Sequence, residues 1–457
     1  MSRIRFGRGL GWASAASFMV AVAAWAGVIP LSFAPVVNVP LGPTGCTAGV
    51  DCSEGAVSVV TADFNDDGNL DIATANNGSD DVTIMLGDGE GGLTVSATLA
   101  AGVAPSAIAA GNLDGDTVID LVVANETDST IGVYIGDGDG GFAEAVTYEM
   151  GESPESVVLG YFDDDTNLDV ATADLFGESV SARLGDGTGV FGELHTTAVA
   201  GGPLGLAVGR LDGDGLDDLV VSQNDDATVS PLLSAGDGTF TVGDPLAVEE
   251  SPQGLTIADL NGDEKADVAV ATEYFDTVEV LLGNGDGTFA EAVGYLVGGF
   301  PENVAAGDFN GDGIPDLASA DSFGTLELEG SVSILIGNGD GTFVEPSEAF
   351  ETDIGPWGIV AADLNGDRLP DIVTANLDSA DVSVLINTGT PPTPSCVGDC
   401  NGDGEVAINE LITGVNIALG STPLSSCVAM DANGDGEVGI NELIAAVNNA
   451  LSGCPAA

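Results

Sequence analysis

Basic side chains are nearly missing from this sequence. Seven Lys and Arg stand against 73 Asp and Glu, a formal net charge of −66 over 457 residues. That balance excludes nucleic acid and anionic membranes as partners. Histidine is scarcer still: His195 is the only one, and no partner motif surrounds it, so it reads as a surface or strand residue rather than a catalytic base. The six cysteines lack paired C-x-x-C units, which argues against a four-cysteine zinc site. No GK[ST] follows the many Gly-Asp-Gly turns, and no serine has a G-x-S-x-G setting. One long apolar stretch, 10–33, follows Arg3, Arg5 and Arg8 and contains Ala24-Trp25-Ala26, the pattern of a cleaved secretory signal over 1–26. No second such stretch follows, so a soluble mature protein is expected, with only Arg183, Arg210, Lys265 and Arg368 left to it.

What is abundant points to folded, turn-rich structure. Hydrophobic residues make up 44% of the chain, enough for a core, and 67 glycines imply many tight turns. Cys46 and Cys52 near the start, and Cys396, Cys400, Cys427 and Cys454 at the end, fit disulfides formed in an oxidising compartment. A bridge between Cys46 and Cys52 is expected, and two among the last four, whose three possible pairings stay open. So many carboxylates in a core-forming chain need metal cations, or a salt-rich habitat, to offset their repulsion.

Self-similarity is the dominant signal. DFNDDGNLD begins at Asp63, and related nonapeptides begin at Asn112, Tyr161, Arg210, Asp259, Asp308 and Asp363, spaced by 49 residues five times and then by 55. Each follows an apolar run and leads into a short strand pattern such as DIATAN or DLVVAN, then an alternating stretch such as VTIML, then a Gly-rich turn such as GNGDGTF. Alternation with β-branched residues, punctuated by Gly and Asp, reads as antiparallel strands. Four strands per repeat and seven repeats predict a mainly β chain, a seven-bladed β-propeller over 27–389. The last repeat is one strand short, and FAPVVNVPLG from Phe33 resembles the missing element, so 33–41 is expected to close the ring as its outer strand. The turn aromatics Phe142, Phe240, Phe289 and Phe343 are expected to pack between blades.

In D-x-N/D-x-D-x-x-x-D, oxygen side chains recur at positions 1, 3, 5 and 9, and a tight loop carrying them suits Ca²⁺, a hard cation that takes six to eight oxygen ligands. Asx-turn chemistry is the competing explanation, but it does not require a carboxylate at position 9 seven times. These loops and the GDGTF turns resemble the FG-GAP/VCBS repeat family, whose propeller is also that of integrin α subunits, over about 33–389. The resemblance implies calcium in the hairpin joining the first two strands of a blade. By position the ligands would be Asp63, Asn65, Asp67 and Asp71; Asp259, Asn261, Asp263 and Asp267; Asp308, Asn310, Asp312 and Asp316; and Asp363, Asn365, Asp367 and Asp371. A weaker site would use Asn112, Asp114, Asp116 and Asp120. Tyr161 at position 1 leaves Asp163, Asp165 and Asp169 an incomplete set, and Arg210 would replace the metal by bridging Asp212, Asp214 and Asp218.

After a Pro-rich linker, 390–398, two dodecapeptides match the EF-hand loop D-x-[DN]-x-[DN]-G-x5-E. Their ligands would be Asp399, Asn401, Asp403, Glu405 and Glu410, then Asp431, Asn433, Asp435, Glu437 and Glu442, the two middle glutamates through their carbonyls. A helix should follow each loop, with Leu411, Val415 and Leu419, and Leu443, Val447 and Leu451, on its apolar face. The arrangement over 399–457 looks like a type I dockerin, which implies a cohesin-like partner, although Glu stands at position 12 where dockerins usually have Asp. The expected function is a secreted or cell-surface calcium-binding protein, a monomer and not an enzyme, whose calcium-rigidified propeller meets an extracellular protein or glycan. The alternatives are a secreted carbohydrate-active enzyme or lyase with structural calcium, and a spacer anchored through its terminal module.

Overall fold

The protein is described by a computed structural model. It describes residues 31–41, 55–323, 330–345 and 347–389. In the C-terminal part it describes 398, 400, 406–419, 421, 422, 427, 430, 438, 439, 443, 444, 446, 447, 449 and 450. The expected signal 1–26, the Cys46–Cys52 bridge and most of the linker lie outside these residues.

Seven antiparallel sheets are formed, one per repeat. Blade 1 consists of Ala56–Ala62, Asp71–Asn76, Asp81–Gly87 and Leu93–Ala100, hydrogen-bonded in that order. Blades 2 to 6 follow at 105–149, 154–198, 203–247, 252–296 and 299–351. Blade 4 splits its outer strand into Phe240–Val242 and Leu246–Ala247. Blade 7 takes three strands from 356–385, and its outer strand is Val37–Pro40, paired antiparallel with Asp381–Leu385 so that Val39 faces Val382. The two ends of the ring thus share one sheet, as Val37 pairs with Val384 and Pro40 with Asp381, and no blade is left with the bare edge that a three-stranded seventh blade would present.

Burial along the strands follows from stacking sheets face to face around a ring. The second strand of six blades is buried along its whole length, and in blade 6 it runs on past the buried residues to Ser322 and Phe323; its sequences (DIATAN, DVATAD, DVAVAT) combine β-branched residues with Ala. Outer strands such as Val146–Glu149 are mostly exposed. The seven apolar clusters of the ring each join two neighbouring blades: Ile84, Val82 and Phe64 of blade 1 with Leu121, Val123 and Tyr134 of blade 2, and so around to blades 7 and 1. Burying one side chain such as Ile72 or Leu121 contributes about 1.5–3 kcal/mol, and every such contribution also binds one blade to the next. The turn aromatics do this too. Phe142 meets Phe64, Phe240 meets Phe162 and Phe343 meets Tyr295 edge to face at 5.2–5.6 Å between centroids. Phe289 packs into the cluster of blades 4 and 5.

Inner strands share a further device. Five of them open on Pro105, Pro154, Pro203, Pro252 or Pro356, a strand-start position where the missing N–H costs no ladder bond, and in blade 6 Pro301 is the third residue of Gly299–Gly307. Directly after it the register shifts by a bulge, as between Pro154 and Ser156 or Pro301 and Asn303; blade 1 does the same between Ala56 and Ser58. A bulge turns an extra side chain out of the ladder.

Beyond the ring lies the helix Ile408–Ala418. Cys400 and Cys427 form a disulfide. The apolar stripe anticipated on this helix is not the buried one. Val415 and Leu419 are exposed, and the buried residues are Glu410, Gly414 and Ile417, with Leu411 partly covered. Likewise Ala446, not Val447, is buried after the second loop. The small residues let the chain pack closely on Met430, which sits against Gly414, and this displaces the longer side chains outward.

Candidate functional site

The acidic nonapeptides form the hairpins between first and second strands, all at one end of the ring. Position 9 has the same surroundings in every blade. Asp71 opens the second strand, is fully buried, and accepts the N–H of Phe64 (2.9 Å) and of Gly87 (2.8 Å). Asp120, Asp169, Asp218, Asp267, Asp316 and Asp371 repeat both bonds. The carboxylate ties the acidic loop to the turn between third and fourth strands, so its sevenfold recurrence has a structural cause that needs no metal. Burial, reinforced by the neighbouring loop carboxylates, pushes Asp316 up to about 7 and Asp169 and Asp371 up to about 6.

Positions 1, 3 and 5 divide the loops. In the Asp63 loop, one N–H of Asp67 reaches both Asp63 Oδ1 (3.1 Å) and Asn65 Oδ1 (3.0 Å), so the two oxygens converge. The N–H of Gly68 donates to the second oxygen of Asp63. The Asp259, Asp308 and Asp363 loops repeat this geometry through Asn261 and Asp263, Asn310 and Asp312, and Asn365 and Asp367. In the other three loops it does not occur. Asn112 Oδ1 accepts from Gly115, apart from the bond between Asp116 and Asp114. Asp165 N–H reaches only Asp163. Arg210 does not bridge Asp212, Asp214 and Asp218; its Nε pairs with Asp217 (3.2 Å), which also accepts the N–H of Tyr161 in the preceding blade. The reason is that both oxygens of Asp218 are already taken by backbone N–H groups. The Asp259 loop contains its own cation, Lys265, whose Nζ lies 2.9 Å from Asp263 Oδ2.

The all-oxygen donor set of the four convergent loops fits a hard cation. Among the described residues, no three His, Cys, Asp or Glu side chains stand together as a formed metal site; the carboxylates turn to backbone N–H groups instead. Of the EF-hand set, Glu410 alone is described. Its carboxylate accepts N–H groups of Cys400 and Ala407, both at 2.8 Å, which fixes the start of the helix. Asp399, Asn401, Asp403, Glu405, Asp431, Asn433, Asp435, Glu437 and Glu442 lie outside the described residues.

The opposite end of the ring contains a site that motif reasoning passed over. The bulged residues of the seven inner strands, Val57, Ser106, Glu155, Leu204, Gln253, Glu302 and Trp357, all line one cavity of about 290 Å³ at the ring axis. The signal was present in sequence as the residue after each repeat proline, but only the bulge turns it inward. Glu302 is 8% exposed and accepts the Ser322 hydroxyl at 2.6 Å. Burial raises it to about 7, as it does Glu155, to which Glu126 adds repulsion. Gln253 Nε2 donates to Glu273 Oε2 (3.0 Å). His195 lies on the outer strand of blade 3, away from this cavity.

Residues 63–123, 210–270, 259–319 and 320–374 match the FG-GAP-like repeat. Fold and repeats together define a seven-bladed β-propeller carrying FG-GAP-like repeats. No curated protein sequence matches at a significant level. Among solved structures, the chain is similar to virginiamycin B lyase from Staphylococcus aureus (TM-score 0.53, 12% identity, 78% of this chain and 99% of that one). It is also similar to BBS1N in complex with ARL6DN (TM-score 0.52, 15% identity, 78% and 98%). A third likeness is to a protein from Lactobacillus plantarum (TM-score 0.52, 13% identity, 66% and 86%). At these identities the likeness is one of fold.

Proposed function

We propose that the protein is a secreted, calcium-binding propeller that presents a ligand-binding face, and not an enzyme. The observation that carries the calcium reading is the convergence of position-1 and position-3 oxygens in four of seven loops, those that begin with Asp. When bound, Ca²⁺ would offset the mutual repulsion of the loop carboxylates and hold the hairpins rigid. The chain's own residues already fix the frame, since each position-9 carboxylate is anchored by two N–H groups. Asp63, Asp308 and Asp363 would head the stronger sites, and Lys265 would weaken the one headed by Asp259. The EF-hand loops would add two ions in a module suited to docking, braced by the Cys400–Cys427 bridge, which also supports an oxidising compartment. Placement of His195 away from the axial cavity supports a binding role over histidine-based catalysis.

Calcium retained by the dialysed full chain, counted by mass spectrometry, tests this. Asp308→Ala should remove about one ion per chain, whereas Asp163→Ala should remove none. A wild-type chain that retains no calcium would overturn the reading.

A further inference from the structure

The cavity end of the ring carries a set of exposed aromatic rings that the core does not use. Tyr274, Phe300 and Phe323 are 63%, 38% and 51% exposed, yet they contact one another, with Phe300 at 6.4 Å from Tyr274 and 5.1 Å from Phe323. Phe300 occupies a revealing position. The same place in blades 2, 3, 4, 5 and 7 holds Ala104, Ser153, Gly202, Ser251 and Gly355, and these five residues and Phe300 all have positive φ, 55° for Phe300. The fold demands a left-handed residue there, which small side chains tolerate and a bulky one does not. An aromatic ring kept in a strained conformation and half in water serves contacts other than the core.

These rings are carried next in sequence to residues of the cavity's own hydrogen bonds. Phe300 lies two residues before Glu302 on the same strand, and Phe323 follows Ser322, the donor to Glu302. Tyr274 follows Glu273, the acceptor of Gln253. Trp357, 41% exposed, lines the cavity itself. Glu302 is more than nine-tenths buried, lines the cavity, and gives only its Oε1 to Ser322. The lining residues Glu126, Glu155 and Glu302 have no Lys, Arg or His among them. The cations of the ring are engaged elsewhere or lie at the far end. Arg183 binds carbonyls of Glu149 and Gly192, Arg210 and Lys265 hold Asp217 and Asp263, and Arg368 lies in the seventh acidic loop.

We propose that this mouth, lined by Glu155, Glu302, Gln253 and Trp357 and flanked at the same end of the ring by the Tyr274, Phe300 and Phe323 cluster, binds an organic cation presented as a primary ammonium group. Aromatic faces attract cations through the ring quadrupole. Carboxylates held without a counter-charge attract them as well, and the net charge of the whole chain raises cation concentration at its surface. A neutral sugar would use the rings but leave three carboxylates uncompensated, and an anion would be repelled. Gly254 marks how closely the wall is built, since a Cβ there would meet the amide of Asn303 at 2.4 Å. The proposal rests on the reading of the ring as a ligand-binding propeller and does not depend on calcium.

The test is calorimetric titration of the full chain, calcium-saturated at pH 8, with two probes. One is 1,5-diaminopentane; the other is a lysine-bearing heptapeptide, paired with its Nε-acetylated form. Saturable binding of either amine is expected, lost on acetylation and weakened at least tenfold by Glu302→Gln. Diamine binding alone would identify a small free amine as ligand, and peptide binding alone a lysine of a protein partner. Phe300→Gly relieves the backbone strain, so it should weaken binding without lowering the melting temperature, which a purely structural ring would not do. Absence of binding by both amines, or equal binding to folded Glu302→Gln, would overturn the proposal. If instead the acetylated peptide binds as well, and Trp357→Ala abolishes it, the cation is refuted while the ligand-binding ring stands.

Discussion

Asp321 lies in the second strand of blade 6, fully buried, and accepts hydrogen bonds from the hydroxyls of Ser319, Ser331 and Ser333. Burial raises its carboxyl from the ordinary 3.8 to about 7. The equivalent residue is Asn376 in blade 7, with Thr374, Asp381 and Ser383 around it, and Asn76 in blade 1. The repeats therefore show that an amide fits this pocket, its Nδ2 donating to the side chains that in blade 6 are serines. Asp321→Asn removes the buried charge and keeps an acceptor. The gap between 3.8 and about 7, which already includes the serine hydrogen bonds, corresponds to about 4 kcal/mol at full ionisation; turning the serine hydroxyls to suit an amide, with one hydrogen bond left unmade, offsets about 2 kcal/mol of it. A net gain of about 2 kcal/mol is expected at pH 8. The folded state holds this proton more tightly than the unfolded state, so wild-type stability should fall as pH rises from about 4 to about 7, and the advantage of the variant should shrink as pH is lowered through that range. Urea unfolding at pH 8 and pH 5, at fixed saturating calcium, measures both. A variant no more stable than wild type at pH 8, or equally advantaged at pH 5, would refute the burial argument.

Two further outcomes follow from the acidic loops and the ring closure. Asp316→Ala should destabilise by about 2–4 kcal/mol even with chelator present, because the N–H groups of Phe309 and Gly337 lose their buried partner, whereas exposed Asp312→Ala under the same conditions should change stability by under about 1 kcal/mol; equal losses would count against the structural role of position 9. Val39→Asp places a charge where the closing strand packs on blades 7 and 1, so limited proteolysis should release the N-terminal segment and the unfolding free energy should fall by about 1–3 kcal/mol; an unchanged digestion pattern would mean that the ring does not depend on this strand.

The two ends of the ring have different constructions. One is built from loop carboxylates that the backbone has largely claimed, leaving four convergent sets for cations. The other is built from bulged residues that differ from blade to blade. Repetition sets the frame, and the variable residue after each proline sets what the axis offers, so a ligand would be distinguished by Glu155, Glu302 and Trp357 rather than by anything the blades share.

Sequence alone determined the elements that depend on local periodicity. Seven acidic loops at nearly constant spacing, each followed by an apolar strand pattern, are enough to specify seven antiparallel blades, because alternation and turn chemistry act over a few residues. The same is true of the ranking of loops by position 1, since Asp, Asn, Tyr and Arg differ in what they can offer an N–H or a cation. Tertiary structure decided what depends on contacts between distant residues. It assigned position 9 to two N–H groups, one of them sixteen or more residues downstream, and gave Arg210 to Asp217. It set the register of Val39 on Val382, and turned seven bulged side chains toward one axis. No local pattern specifies these, because a side chain's partner is fixed by where the ring brings other chain segments, and burial then decides whether a carboxylate there is a ligand, an anchor or an uncompensated charge.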